Sequence, residues 1–313
     1  MGGVSWRRVG LFYGMALGWV VFVAVVLRLF GQDNFAFGAA NPVAQLAVGV
    51  FYMPAPLVAA LIVDRMDGRR PLIVTTFDGF GRKLPRLLLV GGGAVVASMA
   101  AMLGLSWVLG NLLGVPGAGR LTTGRAEMVA NASAALGLPS EVVADGFPEF
   151  WPMIGMLLVA SVVAGFSANG LFAFGEEYGW RGWLADELRP LGAGRANVLT
   201  GAMWGLWHTP LIVEGFNFAP YNYVGPLFMV ALCVPFSFLL WRVREVTGSL
   251  LAPAVVHGGF NAFAGVFVFV LADRNPLIAV PVGLAGAASV AILVSALWLL
   301  PARPAPSPAT APA

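Results

Sequence analysis

Histidine is scarce in this chain: the sequence has two, His208 and His257, and both fall inside long apolar runs. Another apolar run ends in Glu176-Glu177-Tyr178-Gly179-Trp180-Arg181, and Asn261 follows His257 by four residues. Charged and imidazole side chains are costly inside a membrane span, so each is a functional candidate by default. One such histidine is readily explained by a bond to a backbone carbonyl; two, with none elsewhere, point to a shared site. Glu177 and Arg181 are four apart, share a helix face and can form an ion pair at a helix end. Glu176 points about 100° away from Glu177 on a helix and lacks that partner, which makes it the free carboxylate.

A carboxylate in a shielded cavity suits a general base, and imidazole and amide groups can donate to a developing oxyanion, so hydrolysis fits this set. Two neutral imidazoles and a carboxylate, His208, His257 and Glu176, are also a ligand set for catalytic zinc with one open position, although the sequence has no His-Glu-x-x-His helix. No serine or cysteine sits at readable spacing beside a histidine, so attacking water is favoured over a covalent nucleophile.

The elements that must carry these residues are membrane helices. Of 313 residues, 59% are hydrophobic and 11% charged, about half the charge of an ordinary soluble chain, which excludes a soluble enzyme. The single cysteine, Cys233, excludes an intrachain disulfide and a thiolate cluster. The net charge of +3 comes from basic residues scattered singly between apolar runs, which argues against a nucleic-acid partner. Eight runs reach about the length a bilayer needs: Val9–Leu27, Val43–Val63, Leu87–Leu109, Trp151–Gly175, Ala196–Val213, Val224–Trp241, Leu250–Ala272 and Pro276–Leu300. They are apolar on all faces, so they read as an all-α polytopic bundle and not as a membrane barrel.

Counting along the chain puts Glu176 about 18 Å from the inner end of its helix, His208 about 20 Å, His257 about 14 Å and Asn261 about 20 Å, so three helices can bring the four to one cavity. Fourteen Lys and Arg fall in alternate connections and three in the others, which predicts that both termini are cytoplasmic. Gly10, Gly14 and Gly18 form a small-residue packing seam on the first span. The loop Gly110–Phe150 has room for an interfacial helix around Arg125–Leu136, and Pro301–Ala313 reads as a disordered Pro/Ala tail after a transmembrane domain over 1–300.

Three motifs in order, Glu176-Glu177-xxx-Arg181, Trp204-xxx-His208 and His257-xxx-Asn261, make the sequence resemble the CPBP family of intramembrane proteases. That family includes the type II CAAX prenyl endopeptidases and bacterial relatives linked to bacteriocin processing and self-immunity. The likeness covers about residues 150–265. The family's second motif usually begins with Phe, where this chain has Trp204. The resemblance implies that Glu176 activates water, that His208, His257 and Asn261 complete the site, and that Glu177 and Arg181 support it. Zinc and a metal-free glutamate mechanism both stay open.

The implied partners are membrane lipid and a membrane-associated protein or peptide substrate. Ala, Gly and Val bias with short loops points to a bacterial inner membrane, where prenylated substrates are not expected. A membrane adaptor or immunity protein that keeps the motif only as a packing network is the alternative. A proton-coupled transporter is the other rival, weakened because Pro54, Pro56 and Pro253 do not fall in corresponding halves.

Overall fold

In the computed structural model, which describes residues 3–31 and 42–299, apolar runs without surface-seeking charge become helices, because a helix satisfies its own backbone polar groups. In chain order these are α1 (Trp6–Leu29), α2 (Val43–Met66) and α3 (Phe80–Leu112), then strand β1 (Ala118–Leu121) and α4 (Arg125–Leu136). There follow α5 (Phe150–Gly165), α6 (Ala168–Glu187), α7 (Ala193–Trp207), α8 (Gly225–Thr247), α9 (Leu251–Val270), strand β2 (Leu271–Arg274) and α10 (Leu284–Leu299). The molecule is an all-α membrane bundle, with β1 and β2 pairing antiparallel, Ala118 opposite Arg274 and Arg120 opposite Ala272.

Among the described residues α1, α2, α3, α8 and α9 are long and apolar enough to cross a bilayer, and the pair α5 and α6 makes a sixth span bent by 50°. The remaining two of the eight apolar runs form shorter helices. α7 has 15 residues and stops at Trp207, where Pro210 opens a separate short helix, Thr209–Val213. α10 has 16, because the Pro276–Gly283 part of its run is turn and not helix. The seventh run likewise ends early, its last residues passing into β2. The helix expected around Arg125–Leu136 forms with those bounds. The tail Pro301–Ala313 lies outside the described residues.

The ends of the helices form two faces tied by polar contacts. At one, Arg8 of α1 is buried and pairs with Asp64 at 2.8 Å, with Asp67, and with Glu187 at 3.1 Å, while Arg244 of α8 pairs with Asp186 at 3.0 Å. At the other, Arg28 pairs with Glu214 at 2.8 Å, beside the strand pair and α4. Arg28, Arg120, Arg125 and Arg274 belong to this second face; the other described basic residues, except the buried Arg181, lie at the first, termed the basic face below. The core between them is aromatic: Phe12 stacks on Trp183 at 4.7 Å and meets Trp180 edge-on at 5.4 Å.

Gly10, Gly14 and Gly18 do not form a seam within the chain. A Cβ at any of the three would meet nothing within 4 Å, because this stripe of α1 faces outward.

Candidate active site

Close helix approach brings the motif residues together. A Cβ on Gly258 of α9 would lie 2.5 Å from the backbone N of Gly170, and one on Gly175 would lie 2.8 Å from Cα of Pro54. α6 therefore sits backbone to backbone against both α9 and α2, a contact only glycine permits. Glu176 and Glu177 end the regular part of α6, and a π-helical turn, Tyr178–Leu184, carries Arg181 just beyond them. π-Helical turns are frequent at functional sites.

The two carboxylates face different surroundings, as their angular offset predicts. Glu177 is fully buried and its Oε1 accepts from Nη1 of Arg181 at 3.0 Å and from Nδ1 of His257 at 2.8 Å. Glu176 lines a cavity of about 580 Å³, together with His208, His257 and Asn261. Its Oε2 accepts the indole N–H of Trp204 at 2.7 Å. The Arg181 guanidinium lies over the Trp204 ring, 3.9 Å from its centroid, and His257 meets that ring edge-on at 5.2 Å. His208 closes the group: its Nδ1 donates to the Trp204 carbonyl at 2.8 Å.

The four expected site residues thus border one cavity, with three differences in their partners. His257 is bonded to Glu177, so the Glu177–Arg181 pair is a triad. Glu176, expected to be without a partner, holds an indole N–H. Trp204 is therefore more than an aromatic spacer: it touches Glu176, Arg181, His208 and His257. The signal for this was present, since a buried indole N–H usually finds an acceptor. Cys233 and Phe236 of α8 and Tyr52 of α2 also line the cavity, and no motif marks them. The amide of Asn261 has no hydrogen-bond partner among the described residues and faces the cavity from an exposed position.

A carbonyl oxygen only accepts, so His208 carries its proton on Nδ1; the carboxylate partner of His257 assigns the same tautomer. Both Nε2 atoms then present lone pairs when the rings are neutral. Histidines tied back in this way suit metal ligation. Among the described residues, however, no three His, Cys, Asp or Glu side chains stand close enough to share an ion, so the arrangement does not fit the three-ligand set of a catalytic zinc centre.

Residues 150–263 match the model of the family described as type II CAAX prenyl endopeptidase Rce1-like. A curated relative with this likeness is CAAX prenyl protease 2 of Methanococcus maripaludis, 25% identical over 115 residues. The matched region is 35% of this chain and 38% of that relative, so the chain covers little more than a third of the relative's length. The segment similar to the Rce1-like family of type II CAAX prenyl endopeptidases holds Glu176, Trp204, His208, His257 and Asn261, which border the one cavity, and Glu177 and Arg181, which pack beside them.

Proposed function

We propose that this chain is an intramembrane endopeptidase in which Glu176 activates the attacking water. The observation that carries this reading is the unequal placement of the carboxylates: Glu176 borders the cavity, while Glu177 is held behind it by Arg181 and His257. Glu176 takes a proton as the water oxygen bonds to the scissile carbonyl carbon. Nε2 of His208 or of His257 accepts the water's second O–H and orients it. The Asn261 amide donates to the oxyanion that forms. Collapse breaks the C–N bond, and the proton held by Glu176 passes to the leaving nitrogen.

The substrate is a membrane-associated protein or peptide. Gln45, Leu136 and Asn217 border the cavity toward the face opposite the basic one. With basic residues retained in the cytoplasm, both termini are cytoplasmic and the site opens to the outer side of a bacterial inner membrane. Exported peptides or the outer segments of membrane proteins are the class that reaches such a mouth, rather than cytoplasmic prenylated chains.

The test compares membrane proteins and released peptides from cells carrying the wild type or Glu176→Gln, followed by cleavage of the identified substrate by purified protein with and without chelator. A species should accumulate uncut in the variant, and the wild type should keep its activity in chelator. No change in any species would favour the adaptor reading, and activity lost to chelator and restored by zinc would overturn the metal-free step.

A further inference from the structure

The basic face holds a second, larger cavity of about 1410 Å³, a groove between α3, α7, α8 and α10. Its rim is cationic. Arg189 and Arg244 are engaged by Asp186, but the side chains of Lys83 and Arg86, on the first turns of α3, have no ion-pair or hydrogen-bond partner among the described residues. Arg242, also on the rim, lies over the ring of Trp298, 5.2 Å from its centroid, and reaches Glu245 at 3.8 Å. Trp298 in turn meets Trp241 edge-on at 5.7 Å. A cluster of tryptophan and arginine at helix ends is what the headgroup level of a bilayer selects.

Below the rim the groove turns apolar. Gly93, Ala94 and Ala97 of α3 form one wall and Leu293 and Leu297 of α10 the other. A Cβ added to Gly93 would meet nothing within 4 Å, so the wall is open at that point. From Arg86 to Ala97 the helix rises about 16 Å, close to one leaflet of a roughly 30 Å hydrocarbon core.

We propose that this groove binds one anionic phospholipid, with the phosphate between Lys83 and Arg86 and the acyl chains along α3 and α10. Unpaired cations at headgroup level select negative charge, and basic pockets between membrane helices are suited to acidic headgroups. An apolar wall one leaflet deep requires chains as well as phosphate, which distinguishes a phospholipid from a free anion.

Native mass spectrometry of the purified full-length protein, mixed with phosphatidylglycerol and phosphatidylcholine of equal chain length, tests this. The wild type should retain phosphatidylglycerol in preference. Lys83→Ala/Arg86→Ala should weaken that binding about 30-fold, ~2 kcal/mol at about 1 kcal/mol per basic residue. Gly93→Leu, which fills the wall without touching a charge, should weaken binding of both lipids. Arg120→Ala on the opposite face should change neither. Unfolding in neutral detergent reports whether each variant is folded, and Gly93→Leu keeps the test independent of the charge variant. Equal retention of the two lipids by the wild type, or undiminished phosphatidylglycerol binding in both groove variants, would overturn the proposal. So would displacement of phosphatidylglycerol by inorganic phosphate with no effect of Gly93→Leu, since that describes an anion site without chains.

Discussion

An indole N–H inside a membrane protein has few acceptors within reach, and that of Trp204 takes Glu176. The bond fixes one oxygen of the proposed base while the ring carries Arg181 on its face. Trp204→Phe keeps an aromatic surface for Arg181 and removes the donor together with part of the ring. A hydrogen bond to a charged group contributes about 1.5–3 kcal/mol, so the unfolding temperature should fall, and because the bond fixes the proposed base kcat should fall about tenfold or more with KM nearly unchanged. A fall in stability with no change in kcat would assign Trp204 to packing alone. Glu176 and Glu177 should also separate. Glu176→Gln leaves an acceptor for the indole and should abolish turnover in a stably folded protein. Glu177→Ala leaves the buried Arg181 guanidinium without its carboxylate, a change that costs roughly 3–5 kcal/mol, and should lower the unfolding temperature sharply. Equal stability of the two variants would sink the division of roles. The inequality itself was legible, because the i, i+4 spacing of Glu177 and Arg181 lies within one helix. The His257–Glu177 bond joins residues 80 apart, and no local pattern encodes it.

Helix contact in this bundle depends on glycine at the points of closest approach. On α7, a Cβ at Gly201 would lie 2.6 Å from Cα of Val234, and one at Gly205 the same distance from Cα of Val230, so α7 and α8 meet backbone to backbone. That contact places Trp204 and His208 against α8. Gly205→Ala should force the pair apart and destabilise by about 1–3 kcal/mol, read as a lower unfolding temperature. Gly14→Ala, where the added atom meets open space, should be neutral. If the two behaved alike, the close approach of α7 and α8 would be disproved. Both positions belong to a small-xxx-small pattern in the sequence, Gly10 to Gly18 in one case and Gly201 to Gly205 in the other. Which pattern faces a neighbour is invisible to the pattern itself.

At the scale of the whole molecule, charge divides the two faces, and the lone cysteine makes the division measurable. Cys233 is buried, so a cysteine introduced at an exposed site can be labelled with little background. Arg70 lies in the exposed connection between α2 and α3, and Val142 is 60% exposed in the segment after α4. In intact cells an impermeant maleimide should label Val142→Cys and spare Arg70→Cys. The reverse result would invert the proposed orientation and turn the mouth of the proposed catalytic cavity toward the cytoplasm. Labelling of both would instead break the alternation of helices on which the two faces rest.

Local chemistry determined a good deal without any structure: the helical class follows from apolar runs too long and too uniform for strands. The candidate residues follow from their cost inside such runs, and the Glu177–Arg181 pair from helical spacing. The depth estimates brought Glu176, His208, His257 and Asn261 to one level, and they border one cavity. Tertiary structure alone decided which atoms meet, that Glu177 holds His257, that Trp204 holds Glu176, and that one run bends by 50° while two others form short helices. In a soluble helix the apolar stripe marks the buried face, but lipid is as apolar as a helix neighbour. Hydrophobicity in this chain therefore says where the helices run and is silent on which sides touch, which is settled by glycine approach, indole donors and buried ion pairs between segments far apart in sequence.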